Sequence, residues 1–161
     1  MNYRTGIGFD VHAFETGRKL ILGGIEIPFE KGLAGHSDAD VVLHAITDAL
    51  LGSLALGDIG KHFPDSDSKY KNTNSSFFLV EAYKLVSIKD YFLGNLDVVI
   101  ALQQPRLSSY IDLMRENVAS ILNAEVDQIS IKATTTERLG FVGREEGIAA
   151  LATVTVANRS K

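Results

Sequence analysis

The stretch His36-Ser37-Asp38-Ala39-Asp40-Val41-Val42-Leu43-His44-Ala45-Ile46-Thr47-Asp48-Ala49-Leu50-Leu51-Gly52 carries two patterns at once. Val42, Ala45, Ile46, Ala49, Leu50 and, just beyond, Ser53 recur with a 3.6-residue period, which predicts a helix over residues 37–56 with one apolar face. Ser37 or Asp38 is placed to cap its first backbone N–H groups. Asp40, His44 and Asp48 follow at i, i+4 and i+8, and each step of four turns only about 40° around the axis. They therefore form a polar stripe beside the apolar face. A merely solvated stripe would draw on Lys and Glu, and residues 37–56 contain neither.

Upstream, residues 3–9 read as a first strand, closed by Gly8-Phe9-Asp10-Val11-His12-Ala13-Phe14. Strand side chains alternate, so Asp10 and His12 share one side and Phe9 and Val11 the other. An oxygen and an imidazole side by side suit Zn²⁺ or a similar divalent ion, although the pair alone reads more readily as a plain hydrogen-bonded strand end. His44 would complete a three-ligand site with an open fourth position, as a catalytic zinc requires. Asp40 and Asp48 are candidates to orient the imidazoles from behind.

Residues 20–28 hold two short apolar stretches around Gly23-Gly24, a bend or hairpin signal. Residues 58–74, rich in Gly, Asp, Ser and Asn, read as a long functional loop. A second helix is predicted over 76–88, a strand over 96–102, a serine-capped helix over 108–122, and strands over 129–133 and 148–156. This order predicts an α+β fold, one domain over 1–161, with helices packed on one face of a mixed sheet.

The 161 residues are 45% hydrophobic and 22% charged, an ordinary globular balance. A net charge of −4 argues against a general nucleic-acid or membrane-surface binder, which carries a basic stripe. With no cysteine there is no disulfide and no thiolate ligand, so any metal falls to His, Asp or Glu. No apolar run reaches the roughly 18 residues of a membrane span, and residues 1–4 lack a signal core, so a cytoplasmic location is expected.

A second constellation lies near the C-terminus. Lys132-Ala133-Thr134-Thr135-Thr136-Glu137 runs into Gly140-Phe141-Val142-Gly143-Arg144-Glu145-Glu146-Gly147. The threonines suit strand packing, and their hydroxyls with nearby amides equally suit phosphate oxygens. Glu137 offers a carboxylate to a hard cation such as Mg²⁺, which commonly bridges one carboxylate and substrate phosphates. Gln103-Gln104-Pro105-Arg106-Leu107 ends another strand. The Asp65-Ser66-Asp67 pair lacks the rest of a twelve-residue calcium loop, which excludes that reading.

Taken together, GFDVHAF at 8–14, HSDADVVLHAITDALLG at 36–52, GDIGKHFPDSD at 57–67 and KATTTERLGFVGREEGIAA at 132–150 resemble the cyclodiphosphate synthases of the non-mevalonate isoprenoid pathway, over nearly the whole chain. The resemblance implies a homotrimer with active sites between subunits. It implies that the 2-phosphate of 4-diphosphocytidyl-2-C-methyl-D-erythritol 2-phosphate attacks the β-phosphate, releasing cytidine monophosphate and an eight-membered cyclic diphosphate. Residues matching Asp10, His12 and His44 would bind zinc, and Glu137 would bind Mg²⁺ or Mn²⁺. His36 and Ser37 match positions that hold the methylerythritol phosphate end, and Asp58, Gly60, Phe63 and Asp65 fall in the loop that contacts the methylerythritol unit. His36, Thr135 and Asp48 would support the transition state. Leu102, Pro105, Leu107, Lys132, Ala133, Thr134 and Thr135 fall in the cytidine-binding segments. Phe9, Phe141, Arg144 and Glu146 match positions near the trimer axis, with Arg144 expected to pair with a neighbour's glutamate around a cavity for an isoprenoid diphosphate.

Three features depart from the commoner family pattern: Ala39 replaces a frequent glycine without expected consequence, Glu145 replaces a smaller residue, and residues 103–109 match poorly. Two rival readings use the same residues. One is a zinc-dependent phosphate-ester hydrolase with a metal-bound water. The other is a trimeric small-molecule binder, which leaves the stripe of Asp40, His44 and Asp48 unexplained.

Overall fold

The computed structural model describes residues 2–64 and 66–158. Its central contact is set by two glycines on β1 (Asn2–Thr16). A Cβ at Gly6 would lie 1.9 Å from the Ala49 carbonyl oxygen, and one at Gly8 would lie 2.0 Å from that of Ala45. Glycine at both lets α1 (Val41–Ser53) press its backbone directly onto the strand.

The apolar alternation of the remaining strands completes the sheet. β1 pairs antiparallel with β7 (Gly147–Asn158) from Asn2↔Asn158 to Ala13↔Gly147, then with β4 (Lys31–Leu33) from Phe14↔Leu33. On its other side β7 pairs antiparallel with β5 (Tyr91–Ala101), and β5 pairs parallel with the edge strand β6 (Ile129–Thr134). The order β4-β1-β7-β5-β6 is a mixed five-stranded sheet. β2 (Leu20–Leu22) and β3 (Ile25–Ile27) form the hairpin the sequence signals, with Gly23 and Gly24 at φ +59° and +76°, as a two-residue loop of this hand demands.

α1, α3 (Ser76–Ile88) and α4 (Ile111–Leu122) pack on the sheet as expected. One core joins Val42, Ala45, Ile46 and Ala49 of α1 to Leu96, Val98 and Ile100 of β5 and to Ile148, Ala150, Ala152 and Val154 of β7. The alternate residues face away, and there Ile7, Phe9 and Leu151 are 69%, 60% and 43% exposed. Phe9 lies opposite Leu151 in the β1–β7 ladder, and Leu151 opposite Val99 of β5, so this open face is continuously apolar across three strands.

The structure corrects several expectations. The first helix begins at Val41, and its cap is Asp40 rather than Ser37 or Asp38. Asp40 Oδ1 accepts from the Val42 and Leu43 amides, both at 3.1 Å, and its two oxygens also accept from Gly23 and Gly24 at 3.0 and 2.6 Å. It is fully buried and binds the hairpin to the helix, so it leaves the polar stripe and orients no imidazole. Burial pushes its carboxyl up to about 6, against the pull of the amides that favour the ionised form. The third helix starts at Ile111, after Tyr110, with no side-chain cap. The loop 58–74 contains the single turn α2 (Ile59–His62) and a 3-10 turn at Ser68–Tyr70. A further single turn, α5 (Gly140–Gly143), precedes β7.

Candidate metal centre and substrate cleft

Asp10 and His12 lie on the helix-facing side of β1, two and four residues past Gly8, and His44 lies on the first turn of α1. Their polar atoms converge. Asp10 Oδ2 is 3.0 Å from His12 Nε2 and 3.0 Å from His44 Nδ1, and the two nitrogens are 3.1 Å apart. A tetrahedral ion with bonds of about 2.0–2.1 Å separates nitrogen and oxygen ligands by about 3.3–3.4 Å, so the triangle would open by only a few tenths of an ångström. His12 Nδ1 lies 2.6 Å from the Ala34 carbonyl oxygen. A carbonyl only accepts, so Nδ1 carries the hydrogen and neutral His12 turns the lone pair of Nε2 inward. The donor set and its orientation fit a divalent cation.

The electrostatics agree. Burial alone would raise the Asp10 carboxyl, but hydrogen bonds and charge from His12 and His44 reverse this and hold it well below the usual carboxylate range. Burial works against protonation of His12, and the hydrogen bond and charge of Asp10 outweigh it, so its pKa lies above the usual value.

These residues floor a cleft of about 200 Å³ whose walls include His36, Ser37, Gly60 and Phe63. The structure thus brings four of the expected substrate positions to the three candidate ligands. Phe63 belongs to an aromatic cluster with Tyr70, Phe77 and Phe78, which closes one side. Asp58 stands outside the lining, exposed, and caps α2 through the Lys61 amide at 2.9 Å. Asp48 accepts from the Ile59 amide at 2.7 Å and so fixes the start of α2 rather than an imidazole. Burial, reinforced by the negative charges of Asp58 and Asp10, raises its carboxyl. Asp65 lies outside the described residues.

The expected nucleotide residues gather elsewhere. Leu102, Pro105, Leu107, Ala133, Thr134 and Thr135 line a groove of about 370 Å³ between the ends of β5 and β6. Gln103, in the poorly matching stretch, accepts from the Thr136 amide at 3.0 Å and ties the two strand ends together. Lys132 does not line the groove, and its ammonium pairs with Asp97 on β5. Glu137, at φ +52°, accepts from the Thr135 hydroxyl at 3.1 Å and joins neither depression. The two depressions share no lining residue.

Phe9 and Phe141 are exposed. Within the chain, the guanidinium of Arg144 pairs with Glu146. Its Nε and Nη2 donate to the two carboxylate oxygens of Glu146 at 2.9 and 3.1 Å. The two single-residue departures from the family pattern have a backbone context, since Ala39 and Glu145 adopt φ +57° and +59°, where glycine is favoured.

Sequence reasoning missed two polar residues behind His44. Ser75, fully buried, lies 2.9 Å from His44 Nε2, and Asp38 accepts from the Ser75 hydroxyl and amide. Ser75, one residue before the predicted second helix, carries no spacing signal that ties it to His44.

Residues 3–157 match the YgbB family. A curated relative, the 2-C-methyl-D-erythritol 2,4-cyclodiphosphate synthase of Alkaliphilus metalliredigens (strain QYMF), is 60% identical over 153 residues, covering 95% of this chain and 96% of that protein. Among solved structures, the bifunctional IspDF from Campylobacter jejuni is similar at a TM-score of 0.95 and 44% identity; the match covers 99% of this chain and 43% of that longer one. The Plasmodium falciparum IspF, solved as a CDP complex, is similar at a TM-score of 0.88 and 33% identity, covering 99% and 98% of the two chains. No helix among the described residues is long and apolar enough to cross a membrane. The chain belongs to the YgbB family and is a relative of the cyclodiphosphate synthases its motifs resemble.

Proposed function

We propose that this chain cyclises 4-diphosphocytidyl-2-C-methyl-D-erythritol 2-phosphate to 2-C-methyl-D-erythritol 2,4-cyclodiphosphate with release of cytidine monophosphate. The observation that carries the reading is the convergence of Asp10, His12 and His44 at the floor of a cleft walled by His36 and Ser37, in a close relative of enzymes of that name. Phosphoryl transfer asks for two phosphates held in line and their charge neutralised, with little covalent help from the protein. Zinc on Asp10, His12 and His44 would supply the Lewis acidity that polarises the phosphate under attack. His36 and Ser37 hold the methylerythritol phosphate, and Gly60 and Phe63 enclose the sugar-like carbon chain. The groove formed by Leu102, Pro105, Leu107, Ala133, Thr134 and Thr135 takes the cytidine end, and Glu137 beside it takes Mg²⁺ or Mn²⁺.

The active unit in this reading is a homotrimer. The metal cleft and the nucleotide groove share no residue on one chain, and a substrate must touch both. The open apolar sheet face offers the surface through which a neighbour's groove meets this cleft. Phe9, Phe141, Arg144 and Glu146 would then ring the axis, with Arg144 as the donor to an isoprenoid diphosphate.

Incubation with the cytidylyl substrate and zinc, followed by phosphorus NMR, tests the reading. A cyclic diphosphate and cytidine monophosphate in equal amounts are expected. Inorganic phosphate as the main product would replace it with the hydrolase.

A further inference from the structure

His44 turns Nδ1 toward Asp10 and His12, and the groups that fix this orientation lie on the far side of its ring. There Nε2 is 2.9 Å from Ser75 Oγ and 3.3 Å from Ser37 Oγ. Ser75 Oγ also contacts Asp38 Oδ1, while the Ser75 amide donates to Asp38 Oδ2 at 3.1 Å. Asp38 is held in turn by the Asp40 amide, which donates to its Oδ1 at 3.2 Å.

The hydrogens can be assigned by elimination. A carboxylate only accepts, and a serine hydroxyl has one hydrogen to give. The Ser75 hydrogen therefore goes to Asp38, and the Ser75 oxygen, facing His44, acts there as an acceptor. His44 then carries a ring hydrogen on Nε2, and with a cation in place the neutral ring offers its Nδ1 lone pair on the side of Asp10 Oδ2 and His12 Nε2.

The location of Ser75 strengthens the case. It occupies the N-cap position of α3, where a serine oxygen ordinarily accepts from the first amides of its own helix, and it makes no such bond. Its hydroxyl is fully buried and committed to Asp38 and His44 instead.

We propose that Asp38 and Ser75 are positioning residues: the chain Asp38–Ser75–His44 selects the histidine tautomer that offers Nδ1 to a divalent cation. This deepens the metal-site reading above and rests on it. Partners of this kind behind a ligating imidazole fix its tautomer and ring orientation, and their loss typically weakens metal affinity about 10- to 100-fold.

The test uses zinc itself as the probe. In the zinc-loaded protein, long-range proton–nitrogen NMR correlations of the His44 ring should show Nε2 protonated, with a slowly exchanging hydrogen. In Ser75→Ala that hydrogen should exchange rapidly, and the zinc dissociation constant from chelator competition should rise about 10- to 100-fold. Ser75→Thr, which keeps the hydroxyl, should recover most of the affinity, a rescue that a purely structural serine would not give. Hydrogen on Nδ1 in the parent overturns the proposal and requires no variant to fold. So does a Ser75→Ala protein that binds zinc within twofold of the parent. A parent that takes up no zinc removes the metal-site reading itself, and the proposal with it.

Discussion

Asp40 stands among alternating acids in the sequence, yet its carboxylate serves four backbone amides rather than solvent or a metal ligand. Its pKa of about 6 has a definite sign for stability. An acid whose folded pKa lies above its unfolded value binds protons more tightly when folded, so its contribution is full below about 4 and is lost as pH rises through about 6. His12, raised by Asp10, acts in the same direction above its unfolded value near 6.5. Urea unfolding of the metal-free chain should therefore show stability falling between pH 4.5 and 7, by roughly 3 kcal/mol at most from Asp40. Asp40→Asn should flatten the acidic half of that profile, and an unchanged slope would contradict the assignment. Glu145 is an exposed residue in the left-handed region, so Glu145→Gly should stabilise the chain by about 0.5–1 kcal/mol in denaturant titrations. The metal triad was legible because strand alternation and helix spacing are geometric consequences of sequence order. Asp38 and Ser75 were not, since their link spans 37 residues and depends on how α1 and α3 meet.

Among the elements, α3 coincides with its expected limits of 76–88 because its apolar period runs unbroken to both ends. β1 and β5 are longer than their apolar patterns, since ladder hydrogen bonds carry a strand past the residues that bury. β4, three residues long, and α5, one turn, are too short to display a period and were missed. The junction of β1 and α1 links stability to the metal centre, because the strand carries two candidate ligands and the helix the third. In Gly8→Ala the new methyl meets the backbone oxygen of Ala45, which cannot rotate away. We expect a loss of about 2–3 kcal/mol from overpacking, together with weaker zinc binding as α1 is pushed from β1. A variant that is destabilised but binds zinc like the parent would show that the triangle tolerates movement of the helix.

At the scale of the whole molecule, the α+β class and the packing of helices on a mixed sheet were legible from the order of elements. The separation of cleft from groove was not, because a sequence does not state which parts of one chain stay apart. Glu137, distant in role from the triad, gives a clean test of the divided site. Glu137→Gln should retain zinc and lose its response to added magnesium, whereas overlapping magnesium titrations for parent and variant would release Glu137 from that role. Light scattering of the active protein should report about three times the 17.5 kDa of one chain, and full activity in a 17.5 kDa species would refute the shared site. The apolar face of Ile7, Phe9 and Leu151 carries this further, into the abundance of the protein. In the proposed trimer this surface is concealed only by two sister copies, which makes dilution a denaturant, so the melting temperature should climb with protein concentration. A newly made chain would have to find its siblings before a protease or an aggregate found it, and its lifetime would then depend on how many copies the cell makes at once.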